Sequence, residues 1–412
     1  GDVYKRQHVR FNTRSLRMFP KDCPGRKFGR PPEQMPMPKI DLFDDDACRR
    51  LYPFHLVEGV ERIRHGAFTQ RERWDQVERE LSDKGWTGEL KVNSRWIPNT
   101  DTAADLISAG PQRMEHHGTL LTRGPVPSND DAPSISAPRA PRMLDHANDL
   151  FSGLEDQLTR DLDAMRSNWT LHPARLEPPT QLYGPADQVL VAGDAVVRAA
   201  TLDTSGGAIV IGPGARIEPG SHLEGPIVVH EGAVVRTGAH IRGASVIGPH
   251  CKVGGEIANV HFQGWANKAH GGFLGNSVIG RWCNLGAGTV SSNLKNTYGS
   301  VRQWSHASGQ MEDSGLQFCG VLMGDHSKCG IGTTLNTGTI LGPACVIFDA
   351  GFPPKHLAAF SWHDARSGKT VPHDLDRMLA TAETVMARRN QSLSTAARDN
   401  LCLLYTSDAA DE

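Results

Sequence analysis

One histidine, one lysine and two asparagines stand inside a glycine-punctuated run, Ala266 to Asn296 (ANKAHGGFLGNSVIGRWCNLGAGTVSSNLKN), where a purely structural strand repeat would carry blander residues. His270 leads these candidates. An imidazole with an ordinary pKa of about 6.5 accepts a proton near neutrality, and transfer of an acyl group to an amine needs that step, because the attacking nitrogen must lose a proton as it bonds to the carbonyl carbon. Positioned general-base catalysis of this kind is worth roughly 10²- to 10⁴-fold. A histidine alone in a loop is more often a surface or hydrogen-bonded residue, so its neighbours matter. Lys268 suits a phosphate or acidic substrate group. Asn284 precedes an inward-facing Leu285, which turns its amide toward a corner or cleft, and Asn293 follows across the chain; either amide could equally satisfy backbone groups. Gly286-Ala287-Gly288 leaves backbone N–H groups approachable by a thioester carbonyl or a pantetheine arm, or simply makes turns. A second cluster, Gly324-Asp325-His326-Ser327-Lys328, offers Lys328 to a cofactor phosphate. His250, His261, His270, His306 and His326 show no tight ligand spacing, and no metal is expected on them.

The element that must position these residues is a repeat. Ile211, Ile217, Leu223, Val229, Val235, Ile241, Ile247 and Val253 fall at intervals of six, and the position four further on is small or aliphatic throughout. The period returns at Ile279 and Leu285, and again at Met323, Cys329, Leu335, Leu341 and Ile347. So short a fixed period marks a β-helix built from hexapeptides, with Gly212-Pro213 and Pro219-Gly220 at its corners. The register breaks from Glu256 to Ser277 and from Asn293 to Leu322, which predicts loops leaving the coil there. FDAGFPPKHLAAFSWHD, after Ile347, reads as a terminating loop, and Leu375 to Ser392 as a capping helix. Cys251, Cys283, Cys329 and Cys345 lie in the repeat and read as buried, reduced thiols.

Ahead of the repeat, KIDLF and Glu89 to Val92 read as strands and DTAADLISAG as a short helix, a small α/β unit over residues 37–141. Ser128 to Pro141 reads as a surface loop, and Leu150, Leu154, Leu158, Leu162 and Met165 carry the spacing of an amphipathic helix bridging two domains. The termini look foreign. Asp2 to Gln7 back-translates to GATGTGTATAAGAGACAG, and Cys402 to Ser407 to its reverse complement, so residues 402–412 and the first residues read as translated sequencing adaptor. The native start is then expected at Met37, with residues 1–36 non-native. Removing Lys5 and Arg6 from the 44 basic residues, and Asp2, Asp408, Asp411 and Glu412 from the 46 acidic ones, leaves the charge balanced, which argues against non-specific nucleic-acid binding. No apolar run is long enough for a membrane span, and a cytoplasmic protein is expected.

NKAHGGFLGNSVIGRWCNLGAGT, followed by SNLKNTYG, GDHSK, NTGTILG and GFPPKHLAAFSW, resembles the GlmU-like sugar nucleotidyltransferase/acetyltransferase family, as do FDDDACRRLYPF and RERW near the start. The resemblance implies a left-handed parallel β-helix of hexapeptide repeats over residues 183–364, preceded by an α/β nucleotidyltransferase-like domain (37–141) and a linker with the bridging helix (142–182), and followed by a helical segment (365–401). It implies a homotrimer with acetyl-CoA between subunits, His270 as base, Asn284 and Asn293 on the sugar, and Ala287 along the acyl-CoA path. Lys268 meets a phosphate-side lysine when one residue is deleted before His270; Gly288, Gly324, Asp325 and Lys328 complete the expected cofactor contacts. The substrate implied is an amino-sugar phosphate similar to glucosamine-1-phosphate. Phe273 stands where the family places a tyrosine, and the N-terminal unit lacks the glycine-rich phosphate cradle of nucleotidyltransferases. Arg49, Arg50, Arg64, Arg71 and Arg73 could replace that cradle for UTP, with Asp44 to Asp46 holding Mg²⁺; each also reads as a solvated charge. Three functions follow: an acetyl-CoA-dependent N-acetyltransferase, a sugar-1-phosphate nucleotidyltransferase whose coil oligomerises, or a non-catalytic assembly protein.

Overall fold

The computed structural model describes residues 38–110, 112–123 and 134–408. The expected start at Met37, the segment before it, part of the Ser128–Pro141 loop and the last four residues of the chain lie outside them. From Val189 onward the chain winds as a parallel β-helix with three faces. On the first face, Ile209–Ile211 pairs in register with Ile227–Val229, and that strand with Ser245–Ile247. On the second, Arg216–Ile217, Val234–Val235 and Lys252–Val253 pair in turn; on the third, His222–Glu224 pairs with His240–Arg242. One coil therefore takes three hexapeptides. Every aliphatic of the six-residue ladder, from Ile211 to Ile347, is buried in one continuous cluster, together with Ala215, Ile227, Ala233, Ala239, Cys251 and Ile257. Each contributes about 1.5–3 kcal/mol on burial, so the stacked column is itself the core. Cys251, Cys283, Cys329 and Cys345 are buried, and burial pushes the Cys251 thiol up to about 12.

The two breaks in the repeat have different causes. Between Glu256 and Ser277 no loop leaves the coil, contrary to the sequence reading. Glu256–Phe262 and Phe273–Ile279 are seven-residue strands that run from the third face into the first and pair along their whole length. The corner is made inside each strand by one residue in the left-handed region, Asn259 (φ 56°) and Asn276 (φ 44°), so these coils are shorter and the six-residue phase slips. Between Asn293 and Leu322 the chain does leave, forming the antiparallel hairpin Arg302–Ser305 with Gln310–Asp313. The segment after Ile347 is not a terminating loop either: His356–Leu357 and Ser361–Asp364 add one more layer to the first and second faces.

The outward side of the first face is covered along its length. Helix α4 (Leu154–Trp169), with Ala67 and Phe68, covers Leu190, Val210, Val228 and Val246. Leu51, Tyr52, Phe54, Ile63 and Phe151 cover Val278, Leu322 and Ile340. Helices α5 (Leu375–Ala387) and α6 (Thr395–Asp408) pack through Met378, Leu379, Ala382 and Leu401 on Ala344 and Phe360; the stretch Cys402 to Ser407, read as adaptor, falls within α6. Leu150 and Leu154 lie on separate helices, α3 (Asp149–Ser152) and α4, divided at Gly153. No helix among the described residues is long and apolar enough to cross a membrane.

Ahead of the coil, Lys39–Phe43 runs parallel to Glu89–Asn93, which is antiparallel to Thr119–Arg123 and, through it, joined to Met114–His116. Helix α1 (Gln70–Asp83) starts on a capping box of Thr69 and Glu72 and packs Trp74, Val77 and Leu81 against this sheet, as helix α2 (Thr102–Ala109) does Ala103 and Leu106. The polar stretch between strand and helix is thus a strap whose apolar residues grip the coil. Its tie to α4 is a buried ion pair: Arg73 Nη1 and Nη2 each stand 2.7 Å from an Asp161 oxygen, which also accepts from Ala67 N and Gln157 Nε2 at 2.8 Å. A Cβ at Gly66 would lie 2.4 Å from Asp161 Oδ2. Removing the carboxylate leaves a buried guanidinium without its counter-charge, so Asp161→Ala should cost ~3–5 kcal/mol in urea unfolding, whereas a change at the exposed Glu155 should fall within ~0.5 kcal/mol.

Candidate active site

A groove of about 890 Å³ runs along the second face. Its floor is a column of outward side chains from four consecutive coils: Lys252, Asn267, Asn284 and Lys328, each the register partner of the next. Strand period explains the column, since the residue before each inward Val253, Leu285 or Cys329 must point out. His270 sits at the corner where the second face turns toward the third, and it and Asn284 are exposed. Ala287, Gly286 and Ile331 form the third-face side. The end of α5 closes the other, with Val385, Arg388 and Arg389.

The groove is cationic, and no carboxylate is among its described lining residues. Lys252 shows the consequence: Arg389 first, then burial, Arg236 and Arg388, hold its ammonium below the ordinary lysine range. Burial does the same to Lys328, whose Nζ donates to His326 O at 2.8 Å. Arg389 reaches Asn267 Oδ1 at 3.2 Å. Trp265 and Trp282 supply an apolar wall, stacked at 4.8 Å and 14° in a corner column that continues to His250 and His326. An arrangement with fixed positive charge, one solvent-facing imidazole and two outward amides, of which Asn267 is held by Arg389, fits a polyanionic ligand next to a proton acceptor.

The structure brings His270, Asn284, Ala287 and Lys328 into this groove and sends the other expected contacts elsewhere. Lys268 points into the coil, fully buried, in the column between Val253 and Leu285; its Nζ donates to the carbonyls of His270 (2.5 Å) and Gly271 (3.1 Å). It is an internal tie, not a phosphate-facing cation. Asn293 lies at the opposite corner in an asparagine ladder, donating to Asn276 Oδ1 at 2.7 Å, while Asn276 donates to Asn259 at 2.8 Å. Asp325 is buried beneath the Gly280–Arg281 turn, accepting from Arg281 N at 2.7 Å, and burial raises its pKa to about 6. Gly324 O takes the Cys283 thiol at 3.1 Å just before the Asp325–His326 turn, and Gly288 (φ 72°) lies in a turn of the coil. Gly286 is required by backbone approach, since a Cβ there would stand 2.5 Å from Gly330 C. Phe273 lies on the third face with its ring over Gly275. Lys252, Arg388, Arg389 and the tryptophan wall escaped the sequence reading, although the outward phase of Lys252 and the basic pair closing a helix were visible there.

The N-terminal charges are mostly committed. Arg64 pairs with Glu72, Arg71 with Asp75 and Glu78, and Arg73 with Asp161. Asp45 is held by Arg95 at 2.7 Å and Asp44 accepts from Ser94, so two of the three carboxylates expected to hold Mg²⁺ already have donors. Arg49 and Arg50 remain, at a separate cavity of about 620 Å³ beside the Arg302–Asp313 hairpin.

No protein-family model matches the chain, and no curated protein does. Among solved structures, the polysialic acid O-acetyltransferase OatWY aligns over 47% of this chain and 88% of its own at 13% identity, with a TM-score of 0.27. The acetyltransferase domain of PglB from Neisseria gonorrhoeae FA1090 aligns over 74% and 96% at 13% identity, with a TM-score of 0.14. At these scores neither neighbour bears on the activity of this chain.

Burial lowers the Lys268 pKa from 10.5 to about 8. Between those values the unfolded chain holds a proton that the folded chain has released, so this group's contribution to stability rises with pH from about 8 to 10.5. Lys268→Met abolishes the dependence: wild-type stability relative to the variant should climb by at most ~3 kcal/mol across that window in urea titrations, and a flat difference would show that the ammonium is not buried.

Proposed function

We propose that the second-face groove is an acyl-CoA-dependent N-acyltransferase site. The observation that carries this reading is the conjunction in one groove of an exposed imidazole, outward amides and four cations, Lys252, Lys328, Arg388 and Arg389, with no carboxylate among its described lining residues. The phosphates of coenzyme A are the polyanion such a groove suits. His270 takes the proton that the acceptor amine loses as its nitrogen bonds to the thioester carbonyl carbon; the carbon–sulfur bond breaks, and the imidazolium returns that proton to the departing sulfur, so that coenzyme A leaves as the thiol. To Asn284 Nδ2, which lines the same groove, falls the role of steadying the carbonyl oxygen or an acceptor hydroxyl.

The acceptor we propose is an amino-sugar phosphate, on the resemblance drawn from the NKAHGGFLG and CNLGAGT segments. Phe273, lacking a hydroxyl, leaves that acceptor one hydrogen bond poorer, and neither Asn293 nor Lys268 is assigned to it. A homotrimer is part of the same proposal. Ile331 is 75% exposed at the groove edge, and Phe352 is 63% exposed; apolar side chains so placed suit coverage by a second copy.

With acetyl-CoA and glucosamine-1-phosphate, the protein should release free thiol. His270→Ala should cut turnover by at least ~10²-fold while sedimentation shows the same assembly. Arg388→Ala should raise the KM for acetyl-CoA by ~10-fold or more with kcat little changed, as expected for loss of one charge-assisted contact worth about 1.5–3 kcal/mol. Unchanged turnover in His270→Ala would remove the imidazole from the mechanism.

A further inference from the structure

Away from the groove, on the outward side of the third face, His222, Glu224 and His240 bring one ligand atom each to within 4.8 Å of one another. Two features of the coil set this up. His222 and His240 are register partners on adjacent layers, so their rings are held side by side, centroids 5.0 Å apart. Glu224, two residues after His222 on the same strand, points to the same side. The strand between them is anchored by Leu223, fully buried in the coil.

The distances suit a small cation. Glu224 Oε1 lies 3.4 Å from His222 Nε2 and 2.9 Å from His240 Nε2. For bonds of about 2.0–2.2 Å to imidazole nitrogen and carboxylate oxygen, the edge of a tetrahedron is roughly 3.3–3.6 Å; the two edges from Glu224 lie close to that, and the two nitrogens stand no more than 4.8 Å apart. The carboxylates on either side are already engaged: Asp203 accepts from Ser205 N at 2.9 Å and Glu256 from Arg242 at 3.0 Å. Among the described residues the two imidazoles are the side chains recorded against the Glu224 carboxylate, and Arg242, the nearest cation along the strand, is turned to Glu256. All three side chains are partly exposed, at 40–43%, which gives an ion an entry path and leaves a fourth position open to water.

The geometry points to a three-ligand site for a divalent transition metal, Zn²⁺ by its two-imidazole, one-carboxylate donor set. It is independent of the acyltransfer reading and of His270. Cobalt supplies the test, because four-coordinate Co²⁺ gives an intense visible ligand-field band and hexaaquo Co²⁺ does not. Chelator-stripped protein should take up one equivalent of Co²⁺ with that band and lose it on addition of Zn²⁺. His222→Ala, His240→Ala and Glu224→Gln should each weaken uptake at least ~10-fold, a conservative figure for losing a direct ligand, while His172→Ala, on the surface elsewhere, should not. Thermal melts without metal should be alike for all four variants, since Glu224→Gln keeps the shape of the side chain. Absence of stoichiometric uptake, or uptake that these three substitutions leave unchanged, would overturn the site.

Discussion

The first face of the coil is buried on both sides, and most of the molecule follows from that. A hexapeptide coil needs its inward ladder only to close on itself; here the outward residues of the same strands, Val210, Val228, Val246, Val278, Leu322 and Ile340, are apolar as well. Exposed, that strip would be a continuous hydrophobic surface. The N-terminal strap, α4 and the C-terminal helices exist in their observed places because they cover it. Charged and amide side chains are thereby confined to the outward positions of the other faces: on the second, Lys252, Asn267, Asn284 and Lys328 follow the outward Val234, and on the third stand histidine and glutamate.

The second face also inherits its apolar wall from a corner. His250, Trp265, Trp282 and His326 all adopt φ between 56° and 63°, a conformation costing non-glycine residues about 1–3 kcal/mol each. Earlier layers use Gly214 and Gly232 at the same corner. The change from glycine to aromatic residues coincides with the layers that carry the groove, and stacking of rings at 4.1 and 4.8 Å returns about 0.5–1.5 kcal/mol per pair. The tryptophans give the groove a rigid side against which α5 presents its cations, and Arg388 and Arg389 at a helix C-terminus are favoured there by the helix dipole.

How far the sequence disclosed this depended on whether phase was kept. From Ile211 to Val253 every coil has equal length, and the inward and outward sets could be read without coordinates. The next coils shorten because Asn259 and Asn276 turn the corner within a strand. Counting in sixes then fails, and the failure looks like a loop. Lys268 was misplaced for that reason: a lysine beside a candidate base reads as a ligand for phosphate, and only its pairing with Val253 shows that it points inward. Asn259, Asn276 and Asn293 recur every seventeen residues, a signal of a ladder that was present in the sequence but belonged to no expected period. His222 and His240, eighteen apart, lie a full coil from one another, a separation that conveys nothing about metal ligation until the coil length is known. The covering strap was less legible still, since its apolar residues follow no regular spacing and are selected by the surface they meet.

The position of Lys268 links core and groove. The carbonyls of His270 and Gly271 turn toward the coil interior at this corner, where a carbonyl without a donor would cost about 1–3 kcal/mol. Lys268 supplies both hydrogen bonds from within the hydrophobic column, and its displaced pKa records what burying the ammonium costs. A neutral residue in that column would pack better yet leave the corner free to relax outward. The backbone that carries the His270 imidazole is thus tied from inside the coil by Lys268, at the cost of a buried ammonium in the hydrophobic column.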